Sequence, residues 1–85
     1  MNISRPEQRA LHALAQGGRI LVERDGRTKP ASVTLVTRDG LILADCTLAL
    51  FQRLRRRGFV ESRAGSPYRI SLDGRRAVRS QPDNR

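Results

Sequence analysis

The chain has 85 residues, with seventeen basic side chains against eight acidic and a net charge of +9. That length gives one domain with a small core, burying about 60–65% of the unfolded chain's surface. No apolar run approaches the roughly 18 residues of a membrane span, and the single cysteine, Cys46, excludes a disulfide-stapled scaffold.

Sixteen of the seventeen bases are arginine. Arginine forks grip phosphate and carboxylate bidentately and stack on flat rings, which lysine does not. Residues 1–44 carry +3 and residues 45–85 carry +6, so the charge is concentrated in the second half. Nucleic acid, an acidic protein surface or plain solvation of an arginine-rich surface all fit that balance. The start, MNISRP, lacks the apolar segment of a signal peptide. The expected location is the reducing cytoplasm.

Ser4-Arg5-Pro6-Glu7 has the spacing of a capping box, with proline in the first helical turn. Ala10, Leu11, Leu14 and Ala15 then share one helical face, and Gly17-Gly18 stops the helix. Residues 19–24 hold Ile20, Leu21 and Val22 and read as a strand. Asp25-Gly26 is a turn signal. Residues 31–37 alternate Val33 and Leu35 with Ser32 and Thr34, which predicts a half-buried strand. The two strands are expected to pair as a hairpin across a loop ending at Pro30. Arg38-Asp39-Gly40 is a further turn, and residues 41–43 are apolar but too short to assign.

Asp45 is expected to cap a second helix, with Thr47, Leu50, Phe51 and Leu54 on one side. Ala49, Gln52, Arg53 and Arg56 lie on the other, and Gly58 stands at the stop. Residues 59–63 and 68–72 flank Ala64-Gly65-Ser66-Pro67 and read as a second hairpin. Asp73 is expected to cap a last short helix through Val78, with residues 80–85 a tail. Helix followed by arginine-bearing hairpin is how a winged helix-turn-helix ends. The expected fold is therefore α+β: a single winged-helix-like domain over residues 1–85 with an additional N-terminal β-hairpin.

The candidate binding residues are Gln52, Arg53, Arg56, Arg63 and Arg69. Glutamine and arginine can bond bidentately to base edges, and wing arginines can meet phosphate. Against groove docking stands a gap: the short helix that normally precedes a recognition helix is replaced by the 19–37 hairpin. That hairpin offers a strand edge to a protein partner instead. Cys46 is open to two readings, a thiol activated by a helix N-terminus or a small buried residue. His12 lies beside Arg5, Arg9 and Gln16 with no second histidine and no cysteine at metal spacing. No nucleophile has a histidine and a carboxylate nearby, and no glycine-rich phosphate loop follows a strand. Neither catalysis nor a metal nor a cofactor is expected.

Four segments, MNISRPEQRALHALAQGGRI, DGLILADCTLALFQRLRRRGFV, GSPYRIS and the closing DNR, resemble the YjhX family of small bacterial proteins. The resemblance spans nearly the whole chain and is weakest in residues 21–37 and 71–82. It implies a non-enzymatic toxin of a type II toxin–antitoxin pair that inhibits bacterial DNA topoisomerase I. It further implies an acetyltransferase-like antitoxin as partner. It transfers no catalytic residues. A winged-helix DNA-binding regulator is the alternative, and an interaction module without a DNA role is the third.

Overall fold

The computed structural model describes residues 3–26 and 29–79. The expected tail over residues 80–85 lies outside them. Helix α1 (Arg5–Ala15) begins at the capping box the spacing predicts. The Ser4 amide donates to Glu7 Oε1 at 2.8 Å, and the Glu7 amide donates to Ser4 Oγ at 3.3 Å. Ala10, Leu11 and Leu14 are buried, while Arg9 and His12 face solvent. Gly17 turns the chain out of the helix at φ +110°, a conformation glycine adopts without strain.

Strands β1 (Arg19–Asp25) and β2 (Lys29–Val36) pair antiparallel, with Ile20 opposite Leu35 and Val22 opposite Val33. Ile20 and Leu35 are fully buried, so this cross-strand pair anchors the sheet in the core. The second strand starts earlier than expected, and Pro30 lies inside it rather than ending a loop. Residue 30 pairs with Arg24 beyond a register shift at Glu23/Arg24, where the ladder absorbs the proline. A two-residue strand, β3 (Ile42–Leu43), adds beside β2 and completes the order β1-β2-β3.

Helix α2 (Leu48–Arg56) corrects one expectation. Its cap is Thr47, not Asp45: Thr47 Oγ1 accepts from the Leu50 amide at 3.1 Å. Asp45 is drawn instead into an exposed ion pair with Arg9 at 2.7 Å. Leu50, Phe51 and Leu54 are buried, and Ala49, Gln52, Arg53 and Arg56 are exposed, as the periodicity predicts. Gly58 ends the helix at φ +74°.

Strands β4 (Val60–Glu61) and β5 (Arg69–Ile70) form a second antiparallel pair, with Val60 opposite Ile70 and Glu61 opposite Arg69. They are shorter than the expected arms over 59–63 and 68–72. Ser66 folds back on Arg63, its amide donating to the Arg63 carbonyl at 2.9 Å, with Ala64 and Gly65 both at positive φ. That wide turn consumes the residues that would have extended the ladder. At the other end, Ser71 rather than Asp73 opens helix α3 (Leu72–Arg79): Ser71 Oγ accepts from the Gly74 amide at 3.0 Å. Leu72, expected on a strand, lies in the first turn of α3 and is exposed.

Backbone bonds tie the two sheets together. The Ile20 amide donates to the Tyr68 carbonyl at 2.8 Å, and the Tyr68 amide donates back at 2.9 Å. The Tyr68 ring stands edge-on to Phe51, 4.9 Å between centroids. Gly74 packs so closely on the Phe59 carbonyl that a methyl group there would have no room. The result is a small α+β domain of three helices and antiparallel sheets among the described residues, with α1, α2 and α3 enclosing Phe51, Leu54, Ile20 and Leu35.

Candidate partner-binding surface

The arginine run at the end of α2 divides by role. Arg53, Arg55 and Arg56 occupy the last helical turn, where positive charge complements the partial negative charge of the unpaired carbonyls. All three are exposed. Arg57, at the C-cap, turns inward. Its Nη1 donates to Glu7 Oε2 at 2.9 Å, and its guanidinium lies 4.8 Å above the Phe59 ring centroid. One side chain thus joins the start of α1 to the end of α2, across 50 residues of sequence.

Glu7 is the buried partner in that contact, its side chain 3% exposed. Burial raises its carboxyl pKa. Hydrogen bonds from Ser4 and the Arg57 guanidinium outweigh this and hold it below the ordinary 4.5. Arg57 therefore serves the fold, and the exposed arginines around it stand on a scaffold it fixes.

The five sequence-predicted residues fall into two groups. Gln52, Arg53 and Arg56 share the outer face of α2. Arg63 and Arg69 sit on the β4–β5 hairpin and line one cleft of about 380 Å³ with Arg75 of α3. Among the described residues no carboxylate pairs with Arg53, Arg56, Arg63 or Arg69. Glu61 stands opposite Arg69 in the ladder and lines the same cleft, so the hairpin is not uniformly positive. Among the described residues no hydrogen bond or ion pair joins the helix group to the hairpin group.

Two residues escaped the sequence reading. Arg75 lies in a helix that the Asp73 capping signal starts two residues late, and Arg38 sits in the turn the sequence predicts, which says nothing of the cleft it lines. Both line a broader cleft of about 830 Å³ beside the end of α1. The Asp73-Gly74-Arg75-Arg76 run was the available signal, but it does not say which arginine faces a cleft.

Cys46 is not an activated thiol. It precedes the Thr47 cap, is buried, and burial pushes its pKa from 9.0 up to about 11. His12 is exposed. Among the described residues, no group of three or more His, Cys, Asp or Glu side chains is placed to hold a metal ion. No helix of the described residues is long and apolar enough to cross a membrane.

A family model described as "putative toxin of bacterial toxin-antitoxin pair" matches residues 1–85. The chain belongs to the YjhX toxin family. Its relatives include a UPF0386 protein of Rhodospirillum rubrum, 66% identical over 84 residues that cover 99% of this chain and 93% of the relative. A UPF0386 protein of Cereibacter sphaeroides is 64% identical, covering 99% of this chain and 97% of the relative. One of Parvibaculum lavamentivorans is 59% identical over the full length of both. No solved structure gives a significant match. Family membership implies an antitoxin as a partner of this YjhX protein.

Proposed function

We propose that this protein is a toxin that acts by binding rather than by catalysis, and that its target is bacterial DNA topoisomerase I. The exposed arginines of α2 and the wing, Arg53, Arg56, Arg63 and Arg69, with Gln52, form the contact surface. The single observation that carries the binding reading is that these arginines are solvent-facing and, among the described residues, have no carboxylate partner, on a fold whose internal charge, Glu7, is already satisfied by Arg57. The choice of topoisomerase I comes from the family resemblance, and so does an acetyltransferase-like antitoxin. Such an enzyme holds DNA in a positive groove, so a basic inhibitor does not mimic the DNA. It meets an acidic surface of the enzyme. The described layout, a helix with a following wing, supports a winged-helix-like single domain carrying the β1–β2 ribbon as an addition, and the site of action is the cytoplasm.

A pull-down tests this. Purified topoisomerase I should be retained by the wild-type protein and lost by the variant with alanine at Arg53, Arg56, Arg63 and Arg69, circular dichroism being unchanged. Retention by that folded variant removes the arginine surface from the mechanism.

One observation favours a second reading, binding of duplex DNA: Gln52, Arg53 and Arg56 project from one helix face beside the wing. In that case log affinity falls with log salt at about −0.9 per phosphate, near −4 for four contacts, and Arg56→Ala flattens the slope by about one. The absence of a helix between α1 and α2 among the described residues weighs against it.

A further inference from the structure

We propose that the arginine-lined cleft between the end of α1, the first turns of α3 and the β4–β5 wing receives an acidic segment of the partner antitoxin. This rests on the toxin reading and assigns the antitoxin a place. The two clefts described above both have Gly17 and Arg75 in their walls, so they run into one another across Arg75. Arg38 stands on one side, and Arg69 and Arg63 on the other. Among the described residues none of these four arginines is in an ion pair. The result is a row of four arginines along the joined clefts, with the Arg38 side chain lying against Gly17.

The lining chooses among anionic occupants. Single-stranded nucleic acid is held by stacking its bases on aromatic side chains, and no aromatic residue lines either cleft. Duplex DNA is read by elements that protrude into a groove, whereas this surface is concave. An extended peptide fits a concave track, and arginine clusters recognise acidic motifs through paired N–H···O bonds. Asp39 lines one cleft and Glu61 the other, while Arg75 is shared, so acidic side chains of the peptide are directed to the stretch around Arg75. Arg63 and Arg69 belong both to this track and to the surface assigned to the target. An antitoxin segment lying there covers part of the toxic surface, which neutralises by occlusion.

The test uses a fluorescein-labelled oligoglutamate peptide and an oligothymidylate of equal charge, each titrated into the purified full-length chain and read by anisotropy. The peptide should bind more tightly than the oligothymidylate. Arg75→Ala should weaken the peptide about tenfold, the worth of one charged hydrogen-bonded pair. Arg55→Ala, an exposed arginine outside both clefts, should leave it unchanged, and Glu61→Gln should tighten it by removing a like charge. Tighter binding of oligothymidylate overturns the proposal, as does peptide binding that survives Arg75→Ala in a folded variant. Should Arg75→Ala perturb α3, Glu61→Gln decides from an exposed strand position, and weaker or equal peptide binding there refutes it. The anisotropy titration contains neither topoisomerase nor antitoxin, and inhibition of topoisomerase I is measured separately on the same samples. Failure of peptide binding in a protein that still inhibits topoisomerase I refutes the cleft assignment alone; peptide binding by a protein without that inhibition refutes the target and leaves the cleft standing.

Discussion

Arg57→Ala should damage the fold more than loss of any other arginine in its run. The Glu7 side chain is 3% exposed and that of Arg57 32% exposed, at 2.9 Å from each other. Removing one partner of a buried pair costs about 3–5 kcal/mol, because the other charge is left without compensation. Two features set the value at the low end: the Ser4 amide still bonds Glu7 Oε1, and Arg57 is partly wet. Loss of the stacking on Phe59 adds about 0.5–1 kcal/mol. A deficit of about 3.5–4 kcal/mol is a large share of the 5–15 kcal/mol typical of a domain, and lowers Tm by roughly 14–32 °C. The deficit also depends on pH. In the wild type the Glu7 carboxyl sits below its ordinary 4.5, so its contribution is present above that pH and is lost as pH falls through the lowered value. In the variant, burial is opposed by fewer favourable bonds, and Glu7 takes up its proton at higher pH. The gap between the two proteins should therefore narrow from neutral pH to about pH 3.5. Urea denaturation at both pH values measures it. A deficit below about 1 kcal/mol, or one equal at the two pH values, refutes the reasoning.

Three further outcomes are expected. Leu54→Ala should cost about 2–5 kcal/mol because the side chain is fully buried beside Phe51, while Arg56→Ala on the opposite face should stay within about 0.5 kcal/mol; equal melting temperatures would mean the helix is turned the other way. Gly74→Ala would normally stabilise a helix by about 1 kcal/mol, but here the added carbon meets the Phe59 carbonyl and lies 2.7 Å from Ile70 Cγ1, so chemical denaturation should show a loss of about 3 kcal/mol, and a gain would disprove the close packing of α3. Alkylation of Cys46 at neutral pH should be at least about a hundredfold slower in the folded chain than in denaturant, since its pKa is pushed up to about 11; equal rates would contradict its burial.

Local signals in the sequence located much of this architecture. Ser4 and Glu7 stand three apart before an apolar face, and that spacing alone specifies the cap of α1. Leu50, Phe51 and Leu54 recur at helical period, which separates the core face from Gln52, Arg53 and Arg56. The misplacements arose where several local solutions compete. Asp45 and Thr47 are both good capping residues, and the choice is made by Arg9, which captures Asp45 from another helix. Ser71 and Asp73 compete in the same way, and close packing of Gly74 on Phe59 fixes where α3 starts. Long-range geometry was hidden altogether. Nothing near Arg57 in sequence shows that it faces Glu7 while Arg56 faces solvent, and nothing near Arg38 or Arg75 shows that they border neighbouring clefts. The candidate surface was legible as charge, and its division into a helix group and a hairpin cleft was not.

The central claim is that the arginine surface acts on the enzyme and not on its DNA. Relaxation of supercoiled plasmid by topoisomerase I, titrated with this protein at several plasmid concentrations, tests it most directly. The account predicts half-inhibition at one protein concentration whatever the plasmid concentration, and no inhibition by the folded variant with alanine at Arg53, Arg56, Arg63 and Arg69. A half-inhibiting concentration that rises in proportion to plasmid would contradict it, because the protein would then be acting by coating DNA.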